Sequence, residues 1–119
     1  MLFFRLLGYM PFFLIYWLAW LSYLFLYYVL GYRKAVVEQN LRQAFPQKSQ
    51  AEIHRLGRAF YRHLANLALE IIKARTMSAG EFQRRCSVVG AEQLLERTRH
   101  RQQPIIVLTI HQGNWEWVL

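Results

Sequence analysis

The pattern of apolar and charged positions divides the chain into an uncharged N-terminal stretch and a charged remainder. No residue from 6 to 32 carries a charge at neutral pH, and an apolar run longer than about 18 residues is typical of a transmembrane helix. A signal peptide has a shorter apolar core, of about 7 to 15 residues, that ends in small residues. This run ends in Tyr27-Tyr28-Val29-Leu30, so we expect it to be retained as a membrane anchor.

The predicted helix covers residues 11–30. Proline is favoured at the first helical position, which Pro11 would occupy. At about 1.5 Å per residue this segment spans about 30 Å, which matches the hydrocarbon thickness of a bilayer. We therefore assign residues 1–32 to the anchor and residues 33–119 to the N-terminal part of a second domain.

Basic residues near the ends of the anchor predict its orientation. Arg5 precedes the helix, whereas Arg33, Lys34, Arg42 and Lys48 follow it. Because basic residues concentrate on the cytoplasmic side, we expect a single-pass membrane protein whose C-terminal part is cytoplasmic.

Helical periodicity appears in the charged remainder. A stripe of Val36, Val37, Leu41, Ala44 and Phe45 stops before Pro46, since proline disfavours α geometry in the residue before it. Ser49 and Glu52 then have the spacing of a capping box, which predicts the start of a longer helix. Its predicted apolar stripe recurs every three or four residues and consists of Ile53, Leu56, Phe60, Leu64, Leu67 and Ile71. Ser78 and Glu81 repeat the cap, and a further helix is predicted through Leu94 and Leu95.

The charged residues of this region are mainly basic. Fifteen Lys and Arg against seven Asp and Glu give a net charge of +8, and Arg55, Arg58 and Arg62 lie on one face of the long helix. This face is either simply solvated or binds lipid phosphates or an acidic carrier protein. No recognised nucleic-acid-binding motif accompanies the charge, so we expect no nucleic-acid partner.

Metal and thiol chemistry have little support in the sequence. Cys86 is the only cysteine, which excludes an internal disulfide, and we interpret it as structural. His54 and His63 are nine residues apart and lack a metal-ligand pattern, so we interpret both as structural or surface residues. We expect neither a metal nor another cofactor.

A candidate site follows the one convincing strand. Residues 104–110 form a largely β-branched apolar run, which predicts a strand buried on both faces and therefore an α/β fold. His111 would stand at the carboxyl end of this strand, where ligand sites of α/β sheets occur, and Glu116 follows five residues later. A turn at Gly113-Asn114 can bring the carboxylate back to the imidazole.

A His111–Glu116 pair suits general-base chemistry. A carboxylate on one ring nitrogen fixes the tautomer and stabilises the imidazolium, which leaves the other nitrogen to remove a proton from an attacking hydroxyl. The alternative is a strand-end histidine that a local carboxylate satisfies without catalysis. The spacing alone does not separate the two interpretations.

The chain resembles the lipid A biosynthesis acyltransferase family in its N-terminal membrane helix, in Asn40-Leu41 with Ala44-Phe45-Pro46, and in residues 111–116. Glycerol-phosphate acyltransferases share the His–acid spacing but usually have serine where this chain has Gly113. The resemblance implies that His111 is the base and Glu116 its orienting acid. It covers nearly all of this chain but only the N-terminal part of a typical family member, so we expect an incomplete acyltransferase α/β domain.

The resemblance also implies an activity and its partners. A fatty acyl chain would pass from acyl carrier protein to a lipid A precursor in lipopolysaccharide biosynthesis, at the cytoplasmic face of the bacterial inner membrane. Another glycolipid or phospholipid acceptor is a second possibility. A third is a noncatalytic membrane-anchored fragment that binds anionic lipid or a partner.

Overall fold

The N-terminal apolar stretch forms two helices and a π turn. In the computed structural model, which describes residues 2–98, 104, 106, 108, 113, 114 and 117, α1 covers Leu2–Tyr9 and α2 covers Phe12–Leu24. Between them Pro11, which has no N–H group, is the N-cap of α2. The last turn of the apolar stretch, Phe25–Val29, is a π-helix. The predicted helix is therefore present, although a separate helix precedes it and its final turn is wider.

Two left-handed residues turn the chain into the next helix. Gly31 has φ of 58° and Arg33 has φ of 51°, a conformation that is uncommon for residues other than glycine. Helix α3, Lys34–Ala44, begins immediately afterwards and ends before Pro46. Its end confirms the prediction from the proline.

The predicted capping box begins the long helix α4, Gln50–Ala74. The Ser49 N–H donates to Glu52 Oε2 at 2.9 Å, and Ser49 Oγ accepts from the Glu52 N–H at 3.4 Å. The side chain of each residue thus accepts the backbone N–H of the other. The hydrogen bond from the Ser49 backbone lowers the pKa of the Glu52 carboxyl below its ordinary value.

Helix α4 buries a different line of residues from the one the apolar pattern predicts. The buried residues are Ile53, Gly57, Tyr61, Ala65 and Lys73. Of the predicted stripe only Ile53 is fully buried, and Phe60 is exposed. The small Gly57 and Ala65 allow close approach of neighbouring helices, so close packing rather than side-chain hydrophobicity selects the buried line.

The core of the N-terminal part lies between α2 and α4. Ala19 and Tyr23 of α2 pack with Tyr61 and Ala65 of α4, and α3 adds Val37. The Tyr61 hydroxyl donates to the Tyr32 carbonyl, which fixes the turn after the apolar stretch to α4. Helices α1, α2, α3 and α4 thus form one compact unit that extends to Thr76.

A second compact unit covers residues 77–119. Helix α5, Ala79–Arg85, begins at Ser78, whose hydroxyl accepts from the Glu81 N–H at 3.2 Å as predicted. Helix α6, Ala91–Arg97, covers the predicted Leu94 and Leu95. The predicted domain boundary after residue 32 stays a prediction.

The described residues contain no β-strand. Within the predicted strand, Pro104, Ile106 and Leu108 have no regular secondary structure, and Ile106 and Leu108 are 89% and 93% exposed. A strand is stabilised by hydrogen bonds to a neighbouring strand, and none of the described residues supplies one. The α/β domain therefore stays a prediction, and the fold of the described residues is helical.

Candidate functional site

The predicted pair His111 and Glu116 lies outside the described residues, but part of the turn between them is described. Gly113 has φ of 63°, in the region that glycine adopts without steric cost. The Trp117 N–H donates to the Asn114 carbonyl at 3.2 Å. The chain thus bends at Gly113 and Asn114, whereas a turn that pairs the two side chains stays a prediction.

Helix α5 contacts Trp117. The Phe82 and Trp117 ring centres are 6.1 Å apart with the rings tilted by 42°, within the range of favourable aromatic pairs. This contact places Trp117 against a helix of the second unit.

A polar cluster that the sequence reasoning missed joins α3 and α4. Gln50 Nε2 donates to Glu38 Oε1 at 2.7 Å and lies 2.7 Å from His54 Nε2, while Arg42 donates to the same carboxylate at 3.2 Å. The hydrogen bond from Gln50 lowers the pKa of the Glu38 carboxyl, partial desolvation opposes it, and His54 and Arg42 lower it further. The cluster borders a cavity of about 280 Å³.

Only part of this cluster had a signal in the sequence. Gln50 and His54 are four residues apart and therefore neighbours on one helical face. Glu38 comes from another helix, so its position depends on how α3 packs on α4. The cluster connects two helices through side chains on their exposed surfaces, and we interpret it as structural.

A buried polar group lies where α1 meets the end of α4. Lys73 is 6% exposed, and its Nζ donates to the Gly8 carbonyl at 2.8 Å. The Thr76 hydroxyl donates to the same oxygen. The helix breaks before Pro11, so this carbonyl lies near the end of α1, where helical carbonyls lack hydrogen-bond donors within the helix. The side chains of Lys73 and Thr76 supply the missing donors.

Metal ligands and a reactive thiol receive no new support from the described part of the chain. No group of three or more His, Cys, Asp or Glu side chains there is arranged to hold a metal ion. Cys86 is half-buried at the end of α5 and makes no disulfide. Its structural interpretation stays a prediction.

One helix of the described residues is long and apolar enough to cross a membrane, by length and composition. It is the segment Phe12–Val29, with a mean hydropathy of 1.7. Its position near the N-terminus agrees with the predicted anchor.

Comparison with known proteins identifies the family. The family described as bacterial lipid A biosynthesis acyltransferase matches residues 1–119. No curated protein and no solved structure matches the chain significantly. The match covers the predicted anchor, the helical region and the His111–Glu116 segment, and the chain belongs to the bacterial lipid A biosynthesis acyltransferase family.

Proposed function

We propose that the protein transfers a fatty acyl chain from acyl carrier protein to a hydroxyl of a lipid A precursor. The observation that carries this proposal is the family match over residues 1–119. The bend at Gly113 and Asn114 supports it, because these two residues lie between His111 and Glu116 in the sequence, where the proposed pairing needs a change of direction.

In the proposed reaction His111 is the general base. One imidazole nitrogen removes the proton of the acceptor hydroxyl as its oxygen attacks the thioester carbonyl, and Glu116 stabilises the resulting imidazolium. The attack forms the new C–O bond and a tetrahedral intermediate. This intermediate then collapses, re-forms the carbonyl and breaks the C–S bond. The imidazolium returns its proton to the departing thiolate, and His111 is neutral again. The reaction requires no metal or other cofactor.

The proposed location is the cytoplasmic face of the bacterial inner membrane. An acyl carrier protein is soluble and acidic, whereas the acceptor is a lipid, so the enzyme must meet both at a membrane surface. The net charge of +8 favours contact with an acidic protein and with anionic lipid. This proposal requires attachment to that face but does not depend on whether the apolar helix crosses the bilayer.

The test is acyl transfer in membranes that contain the full-length protein encoded by the gene. His111→Ala should lower turnover by about 10² to 10⁴-fold, which is the usual contribution of a general base, and Glu116→Ala should also lower it. His63→Ala and Glu92→Ala are matched controls, since both side chains are exposed on helices. Unchanged turnover in His111→Ala would refute the mechanism.

A second candidate function rests on the exposed basic face of α4. Arg55, Arg58 and Arg62 are all exposed, as a lipid-binding surface requires. A noncatalytic chain would bind anionic vesicles with strong salt dependence and would support no acyl transfer. Acyl transfer that depends on His111 therefore separates the two functions.

A further inference from the structure

The second half of α4 lies antiparallel to the apolar stretch. At the middle of α4, Tyr61 bonds to the Tyr32 carbonyl. Farther along, the Tyr16 hydroxyl donates to Glu70 Oε1 at 3.0 Å. At the end, Lys73 and Thr76 both bond to the Gly8 carbonyl. The end of α4 therefore lies beside the start of α2.

This packing brings charged groups against the apolar helix. The Arg62 guanidinium is 5.5 Å from the centre of the Tyr23 ring, and Lys73 Nζ is 5.3 Å from that of Phe12. Glu70 accepts the hydroxyl of Tyr16. If α2 crossed a bilayer in this packing, Arg62 and Glu70 would lie at hydrocarbon depth and Lys73 at its edge, and charged side chains are costly at hydrocarbon depth.

Helix α4 cannot cross the membrane beside α2 as a second span. It carries six charged residues, with at least one in most of its turns: Glu52, Arg55, Arg58, Arg62, Glu70 and Lys73. A spanning helix needs about 20 predominantly apolar residues. A bilayer that held α2 upright would therefore have to separate it from α4 and expose the core formed by Ala19, Tyr23, Tyr61 and Ala65.

The other face of α2 is apolar and uncovered. Phe13, Trp17 and Trp20 are 71%, 56% and 47% exposed, whereas Ile15, Ala19 and Tyr23 on the opposite face are buried. Tryptophan favours the level of the lipid headgroups. In an upright α2 the two tryptophans would lie near the middle of the bilayer, whereas in a helix parallel to the surface they would lie at their preferred depth.

We propose that the first unit lies along the membrane surface as a helical hairpin. The exposed aromatic face of α2 enters the headgroup region and the upper acyl chains of an anionic bilayer, and α4 holds α2 parallel to the surface. An amphipathic unit with basic residues binds membranes in this way without crossing them. Both ends of α2 then lie on one side of the bilayer, unlike the single pass expected from hydropathy.

Depth measurements by tryptophan fluorescence test the orientation. The full chain is reconstituted in vesicles of anionic phospholipid and of lipid brominated near the top or the end of the acyl chain. Each variant keeps a single tryptophan as the depth probe, and the other tryptophans are changed to phenylalanine. The four probes are Phe13→Trp, the native Trp17, the native Trp20 and Tyr28→Trp. The hairpin predicts four similar, shallow depths. Deep probes at 17 and 20 between shallow probes at 13 and 28 would overturn it.

A control probe and a cross-link test the packing. Ala59→Trp, on the exposed surface of α4, should not be quenched by either brominated lipid. In a Cys86→Ser background, Tyr16→Cys with Glu70→Cys should react with a short bifunctional thiol reagent in membranes. Trp17→Cys with Glu70→Cys is the matched control and should react less, because Trp17 lies on the exposed face. Loss of the first cross-link on membrane binding would contradict the hairpin.

Discussion

The contact between Gly8 and Thr76 offers the sharpest test of how α1 packs on α4. A Cβ atom at position 8 would lie 2.6 Å from Thr76 Cγ2 and 2.7 Å from its Oγ1. Both distances are shorter than van der Waals contact allows, so Gly8→Ala must displace the threonine. The Thr76 hydroxyl would then lose its bond to the Gly8 carbonyl.

The magnitude follows from three opposing effects. Overpacking costs about 1–3 kcal/mol, and the lost hydrogen bond costs about 0.5–1.5 kcal/mol. Alanine recovers about 1 kcal/mol through its higher helix propensity. The net loss in the free energy of unfolding should therefore be about 1–3 kcal/mol, which lowers the melting temperature of a unit of this size by about 5–15 °C.

Thermal unfolding of the full chain, followed by circular dichroism, measures this loss. Gly80→Ala is the matched control, since no atom lies within 4 Å of its added Cβ, and it should not lower the melting temperature. Adding Thr76→Ala removes Cγ2 and Oγ1, so the double variant should lose less than the sum of the single losses. Equal stability of Gly8→Ala and the wild type would refute the close approach.

Three further predictions concern α4. Lys73→Met should change the free energy of unfolding by less than about 1 kcal/mol, because methionine keeps the buried stem and removes a buried charge. Lys73→Ala should cost about 2–4 kcal/mol, as large-to-small core changes do. Equal losses for the two variants in urea unfolding would contradict the packing role of the side chain. Ser49→Ala should cost about 1 kcal/mol through the lost helix cap, with the exposed Ser87→Ala as a control that changes little. The lowered pKa of Glu38 means that its stabilising contribution is present above the ordinary carboxyl pKa and is lost as pH falls through the lowered value. The melting-temperature difference between wild type and Gln50→Ala should therefore shrink as the pH is lowered from 6 to 3. A constant difference would argue against a stabilising role of the ionised Glu38.

The helix boundaries were predictable because local chemistry sets them. Ser49 and Ser78 accept backbone N–H groups within their own sequence neighbourhood, and Pro46 stops α3 through its own ring. These signals depend on residues within four positions of one another. No tertiary information is needed to find them.

The packing was less predictable because it depends on the surface of the neighbouring helix. Gly57 and Ala65 are buried on α4 while Phe60 is exposed, since small residues permit close contact with α2 and α3. The burial of Lys73 requires the carbonyl of Gly8, which is 65 positions away. Of the candidate site, the bend at Gly113 and Asn114 could be predicted from a glycine and an asparagine, whereas the pairing of His111 with Glu116 stays a prediction.

The π turn at Phe25–Val29 has a consequence for the length of the apolar stretch. A π turn holds one more residue than the α turn that it replaces. Deleting one residue there would leave a stretch of almost unchanged hydropathy but rotate Tyr32 by about 100° around the helix axis. The Tyr61 hydroxyl would then lose its acceptor, so the register with α4 constrains the length of the stretch independently of its hydropathy.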